Sequence, residues 1–355
     1  MKQDKIKDIQ SLCINLDASI RSALAHMDRL KRKLLIVIKD NKFFSLLSIG
    51  DIQRAILSKV DLSEMVASIV RNDIKVASED DDLNAVKEHM RQARNEFMPV
   101  ISSDNEIKDV IFWEELFGGA KKSELLPENI PLVIMAGGKG SRLAPLTNVF
   151  PKPLIPINDK SIIEHIMDQF AASGCDKFYV SVNYKADLIK EYLEKANNDH
   201  YQIEFFQEDK PLGTAGSLFL LKGKINSPFF VSNCDIIINQ DLSDIYKYHK
   251  YECNDITLVS ALKHISIPYG TLETGSHGQL QKLSEKPELT YQINTGVYLL
   301  EPKVLDVLQD NVFLHITDLI KSVKKKGGRV GVFPVSDGSW SDIGDWYGYL
   351  RAIGR

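Results

Sequence analysis

The sequence predicts an α/β protein: a mostly parallel sheet flanked by helices, preceded by a smaller α/β module. Three observations carry this. Residues 132–136 form a short apolar run that breaks at Gly137-Gly138-Lys139-Gly140, the pattern of a buried strand turning into a glycine loop. Beyond it, apolar runs of strand length alternate with stretches of helical periodicity, as in repeated strand–helix–strand units. Before it, residues 1–120 contain a weak internal repeat.

The repeat comes first along the chain. Ser19-Ile20 through His26-Met27 aligns with Asp82-Leu83 through His89-Met90, and residues 34–38 align with 97–101. Asp40-Asn41 matches Asp104-Asn105 if the second copy holds one extra residue. Each copy reads helix, short apolar strand, Asp-Asn turn, second strand, helix. The copies fall at about 8–62 and 63–120. Neither could bury both faces alone, so they are expected to pack as a pair. Residues 121–130 begin with a polar stretch and read as a linker to a second domain at 131–355.

In that second domain the glycine loop is followed by Ser141, Arg142 and Lys152. Glycines expose backbone N–H groups and reach positive φ, no Cβ blocks approach, and the cations offset negative charge, so the loop suits a triphosphate. It is not a Walker loop, because Gly140 separates Lys139 from Ser141. It is not a dinucleotide fingerprint either, because Leu143 stands where the third glycine belongs. Residues 161–173 have helical spacing, with Ile162, Ile163, Ile166, Met167 and Phe170 on one face and Gly174 as the stop. Residues 178–182, 203–206 and 228–231 read as strands and 187–195 as a helix.

Acids stand where strands end. Asp235 closes a buried run, and a carboxylate there is costly unless it is paired or opens into a cleft. Asp342 lies far along the chain in Trp340-Ser341-Asp342-Ile343-Gly344. A plain alternative makes Asp235 a turn-former and Asp342 the N-cap of a helix over 343–350. Glu208 follows a strand and precedes Leu212-Gly213-Thr214-Ala215-Gly216.

Bulk properties bound the function. The 355 residues allow two or three domains, and 44% hydrophobic with 26% charged content is ordinary for a globular protein. Net charge −4 provides no basic field for nucleic acid or acidic lipid. The N-terminus lacks an apolar signal region and no run reaches membrane-spanning length. Cys13, Cys175, Cys234 and Cys253 are scattered without a C-x-x-C pair, as in a reducing cytoplasm.

The pattern G-G-x-G-[ST]-R-L-x-P-L-T followed by P-K-P, matched by residues 137–153, resembles the sugar-1-phosphate nucleotidyltransferases (nucleotide-sugar pyrophosphorylases). The resemblance implies a Rossmann-like nucleotidyltransferase domain. Its nucleotide would lie on Ala136, Gly137, Gly138, Gly140, Ser141, Glu208, Gly213 and Thr214. Arg142, Lys152 and Asp235 would be catalytic, and Asp235 and Asp342 would hold Mg²⁺, an ion that usually takes one or two carboxylates and fills its octahedron with phosphates and waters. Sugar contacts would come from Gly270, Glu285, Lys286 and Asn294. At Glu208 the residue type selects the base. Guanine offers two adjacent donors, and an acceptor-only carboxylate takes both, whereas uracil and thymine suit an amide better. GTP is therefore the expected nucleotide.

The repeat in residues 1–120 resembles a tandem pair of CBS domains, which implies an adenine-nucleotide cleft with an S/T-x-x-D motif. Ser48 and Asp51 match it, while Phe112 and Glu115 depart from it in the second copy. One nucleotide site, or a dimerisation module without ligand, both remain open. The whole-chain order resembles the glucosamine-1-phosphate guanylyltransferases of bacterial legionaminic-acid pathways, with mannose-1-phosphate guanylyltransferases as the nearest alternative. The implied protein is a cytoplasmic homo-oligomer, dimer or tetramer, that turns GTP and a sugar-1-phosphate into a GDP-sugar and pyrophosphate. A non-catalytic nucleotide sensor is the alternative of another class.

Overall fold

A computed structural model describes residues 9–71, 74–93, 96–113, 116, 125–127, 129–196 and 201–354. The chain divides into two compact units, Met1–Lys122 and Ser123–Arg355.

In the first unit the repeat takes one form twice. Strand β1 (Cys13–Asn15), helix α1 (Ile20–Leu30), β2 (Leu34–Lys39), β3 (Lys42–Ser48) and α2 (Ile49–Leu57) make the first copy. β4 (Ala77–Ser78), α3 (Leu83–Ala93), β5 (Phe97–Ile101) and β6 (Ile107–Phe112) follow in the second. In each copy the first strand runs parallel to the second and the second antiparallel to the third. The turns place Asp40, Asn41 and Asn105 at positive φ, which these residue types tolerate best after glycine. The copies pack as expected, since Leu34, Ile36 and Leu46 of one share a core with Phe97 and Val110 of the other. Equivalent positions also meet, with the Lys33 N–H donating to the Glu96 carboxylate at 3.1 Å. Glu115, and residues 121–124 and 128 of the expected linker, lie outside the described residues.

The remainder of that linker belongs to the second unit. Leu126 and Ile130 are buried, and the Leu126 N–H donates to Ser173 O at 2.7 Å. The polar surroundings masked two apolar side chains whose burial contributes about 1.5–3 kcal/mol each.

The second unit contains β7 (Leu132–Met135), α4 (Ile162–Ala172), β8 (Lys177–Val182), α5 (Ala186–Ala196), β9 (Gln202–Gln207) and β10 (Phe229–Asn233). Then come β11 (Ile236–Ile238), α6 (Leu242–Tyr251), β12 (Ile256–Ser266), and a hairpin of β13 (Thr271–Thr274) and β14 (Leu280–Ser284). β15 (Glu288–Leu300), α7 (Ile316–Lys325), β16 (Val330–Ser336), β17 (Trp340–Asp342) and α8 (Trp346–Ala352) complete it. Helix α4 buries Ile162, Ile163, Ile166, Met167 and Phe170, the face its periodicity predicts, and ends before Gly174 at φ 94°.

Seven strands form the central sheet in the order β9-β8-β7-β10-β15-β12-β16. All neighbours are parallel except around β15, which runs against both β10 and β12. From β7 the chain steps outward to β8 and β9, then returns to lay β10 on the other side. The order reverses between β7 and β10, and in open α/β sheets the ligand crevice lies beyond the carboxyl ends at this reversal. Among the described residues no helix is long and apolar enough to cross a membrane.

Candidate active site

The glycine loop leaves β7 at this reversal. Ala136 is buried, with its N–H donating to Ser181 O at 2.9 Å. A Cβ on Gly138 would meet nothing within 4 Å. Gly140 has φ 66°, and a Cβ there would lie 2.9 Å from both Lys152 Cβ and Thr147 Cγ2. Glycine at 140 thus answers both to the left-handed backbone and to the close approach of Lys152. Ser141 and Arg142 follow, both exposed, on a 3₁₀ turn, Ser141–Leu143, whose Leu143 is buried.

Lys152 and Asp235 come together beneath the loop. Each is 7% exposed, and Lys152 Nζ donates to Asp235 Oδ2. Arg142 Nη2 lies 3.8 Å from the same oxygen. Asp342 reaches the spot through the short antiparallel pairing of β11 with β17, whose register sets Ile236 opposite Asp342. The Ile343 N–H then donates to the backbone oxygen of Asp235 at 2.9 Å. A Cβ on Gly344 would sit 2.6 Å from Asp342 Oδ1, 2.8 Å from Arg142 Nη2 and 2.9 Å from Asp235 Oδ2. Two carboxylates and a guanidinium therefore surround one point, which only glycine leaves open.

Burial pushes the Asp342 carboxyl above the usual carboxylate range, and the charge of Asp235 pushes it the same way. The Gly344 N–H, donating to Asp342 Oδ1 at 2.7 Å, opposes this. Asp342 is not the N-cap of the last helix. That helix starts at Trp346, and Asp345 caps it by accepting from the Gly348 N–H at 2.8 Å. Among the described residues no cluster of three or more His, Cys, Asp or Glu could hold a metal. Two hard carboxylates beside two cations fit an ion that shares its coordination with phosphate.

Glu208 is half-buried at the end of β9, and burial raises its carboxyl above the usual range. Its Oε2 accepts from the Leu212 N–H at 2.9 Å, and Asn183 Nδ2 lies 3.5 Å from Oε1. A Cβ on Gly137 would be 3.6 Å from Glu208 Oε1 and 3.2 Å from Asn183 Cβ. Glu208 therefore faces the first glycine of the loop. Sequence reasoning missed Asn183, and its place directly after a buried strand was the one available signal.

Gly213 and Thr214 have packing duties. Gly213 has φ 77°, and a Cβ would come 2.6 Å from Leu314 O. Thr214 Oγ1 accepts from the Ile316 N–H at 3.0 Å, capping α7 from outside the helix. Of the expected sugar residues, Gly270 and Glu285 adjoin across the base of the β13–β14 hairpin, where a Cβ on Gly270 would be 3.0 Å from Glu285 Oε2. Lys286 is exposed at φ 44°. Asn294 accepts from the Gly296 N–H at 3.1 Å, and Gly296 abuts the Asn233 side chain just before Asp235.

In the first unit, Ser48 and Asp51 form a capping box for α2. Asp51 is 3% exposed. Its carboxylate accepts from the Ser48 N–H at 2.8 Å and hydroxyl at 2.6 Å, and pairs with Arg54 and, at 3.0 Å, Arg71. A cavity of about 470 Å³ lies near the other end of β2, lined by Asp17, Lys39, Asn41 and Met65 among others.

An open α/β sheet that gathers a glycine loop, two acids and two cations at its strand reversal is built to handle phosphates. The chain belongs to the nucleotidyl transferase family, whose model matches residues 132–354. It is 33% identical to mannose-1-phosphate guanylyltransferase 1 of Arabidopsis thaliana over 231 residues, 62% of this chain and 63% of that one. With the mannose-1-phosphate guanyltransferase of Schizosaccharomyces pombe it shares 32% over 226 residues, covering 61% and 62%. The chain thus spans a little under two thirds of the length of these relatives. HddC from Yersinia pseudotuberculosis, solved in complex with GMP-PN, superposes with a TM-score of 0.50 at 24% identity, over 63% of this chain and 98% of that one, and shares the fold.

Proposed function

We propose that the second unit is a sugar-1-phosphate guanylyltransferase. An oxygen of the sugar phosphate attacks the α-phosphorus of GTP in line. The bond to the β,γ part breaks, pyrophosphate leaves with the electron pair, and a GDP-sugar remains. The nucleophile is already ionised, so no general base is needed. Positioning and charge neutralisation carry the rate. Lys152 and Arg142, both beside Asp235, would offset the charge that develops on the phosphates. Mg²⁺, held by Asp235 and Asp342, would supply further charge neutralisation at the phosphates.

The observation behind this reading is the convergence of Asp235, Asp342, Arg142 and Lys152 beneath the glycine loop. Guanine follows from Glu208, an acceptor-only group beside Gly137. Mannose-1-phosphate is favoured as the sugar by the names of the relatives. Glucosamine-1-phosphate, and with it a bacterial legionaminic-acid role, rests on the resemblance of the whole-chain order and on the two-copy first unit. For that unit we propose a CBS-like regulatory role with adenine nucleotide as the ligand to test, in a dimer or tetramer.

Pyrophosphate release measured over GTP, UTP, dTTP and ATP, each with mannose-, glucosamine- and glucose-1-phosphate, tests the reading. Release that requires GTP, a sugar phosphate and Mg²⁺ supports it. GTP binding with no release under any pairing makes the chain a sensor instead.

A further inference from the structure

The turn after β8 ties the base end of the site to the phosphate end. Its residues Asn183, Tyr184 and Lys185 each make a different tie. Asn183 Nδ2 lies 3.5 Å from both the backbone oxygen and Oε1 of Glu208. The Tyr184 N–H donates to Gly137 O at 3.4 Å, and its hydroxyl donates to Thr147 O at 3.3 Å. Lys185 Nζ donates to Asn148 O and Val149 O, both at 2.7 Å. Thr147 is the residue whose methyl bounds Gly140 opposite Lys152. One turn therefore touches the carboxylate at Glu208, the first glycine of the loop, and the segment leading to Lys152.

Resting on the guanylyltransferase reading, we propose that Asn183 is a specificity-determining positioning residue that fixes the Glu208 carboxylate for the 2-amino edge of guanine. A carboxylate free to rotate presents no fixed pair of acceptors, whereas guanine offers its N1–H and 2-amino donors in one plane. The Leu212 N–H donates to one Glu208 oxygen at 2.9 Å and the Asn183 amide stands 3.5 Å from the other, so each oxygen has a donor beside it that limits rotation of the carboxylate. The missing side chain at Gly137 keeps the adjoining space open. The fix is lost if the amide donor is lost, even when volume is kept.

Asn183→Leu keeps the volume without the donor. Asn183→Asp keeps the shape and places a second acceptor against Glu208. Each is assayed beside the native full-length chain by pyrophosphate release, with GTP and with ITP, which lacks only the 2-amino group. Thermal unfolding confirms that each variant is folded. The native chain is expected to favour GTP over ITP. Both variants should shrink that preference about tenfold, the value of one charge-assisted hydrogen bond. The loss should come mainly through a raised KM for GTP, with a smaller rise in the KM for ITP, which keeps only the N1–H donor, and with kcat little changed. If the variants keep the native GTP-to-ITP ratio while the native chain uses GTP, Asn183 has no such role and the guanylyltransferase reading stands. If the native chain releases pyrophosphate from no nucleotide, or favours another base, both the reading and the role of Asn183 fall.

Discussion

Lys152 and Asp235 form a charged pair almost wholly withdrawn from water, each 7% exposed. Desolvating two ions is costly, and removing one leaves the other uncompensated, at about 3–5 kcal/mol. Lys152→Ala should therefore lose stability on that order in chemical denaturation and lose about 10²–10³ in turnover. Asp342 behaves in the opposite sense. Burial and the charge of Asp235 raise its folded-state pKa above the unfolded value. Between those two values the native state binds more protons than the unfolded chain, so stability falls as pH rises through that window. Above it the charged carboxylate is a standing cost. Asp342→Asn keeps an oxygen for the Gly344 N–H, and should raise the melting temperature at neutral pH. The gain should shrink as pH falls to the ordinary carboxylate range. Asp235 was legible in the sequence because charge directly after a buried strand needs a reason, whereas Lys152 and Asp342 stood out through the motifs they lie in. Asn183 was not legible, because a neutral amide at a strand end costs little and its partner lies 25 residues away.

At the scale of elements, the two-stranded pairing of β11 with β17 sets the geometry of the acids. Gly344 follows it, and its position is crowded by Asp342, Arg142 and Asp235 together. Gly344→Ala should cost at least about 10² in kcat/KM through misplacement of these groups, with a far smaller change in melting temperature. Thr214→Val removes the acceptor for the Ile316 N–H and should cost roughly 1 kcal/mol as a lost cap, read in denaturant midpoint. Helix α4 was readable from periodicity alone because its apolar face is local information. The cap at Asp345 was not, since two acids, Asp342 and Asp345, stand near that helix start and only the long-range pairing of β17 decides which one is free. The segment at 125–130 was misread because composition weighed its polar residues above Leu126 and Ile130, which dock on the second unit.

For the whole molecule, the two units carry separate cores: Leu34, Ile36, Leu46, Phe97 and Val110 belong to the first, and β7, β8 and β10 lie at the centre of the second. Every residue placed in the candidate site lies within Ser123–Arg355. A chain of residues 123–355 is expected to unfold cooperatively and to keep pyrophosphate release within a few-fold of the full protein, and a loss of more than about tenfold would place a site-supporting role in the first unit. The glycine loop and the alternation of strands and helices made this architecture legible. The reversed strand β15 and its hairpin were less so, because antiparallel insertion into a parallel sheet is set by pairing between segments far apart in the chain.

The central claim is that Asp235 and Asp342 act together on a bound triphosphate. Steady-state pyrophosphate release from GTP and a sugar-1-phosphate, compared between the native chain and Asp342→Asn across a Mg²⁺ titration, tests it most directly. The expected result is a folded variant whose rate is lower by about 10²–10³ and is not restored at high Mg²⁺. A variant within a few-fold of the native rate would contradict it.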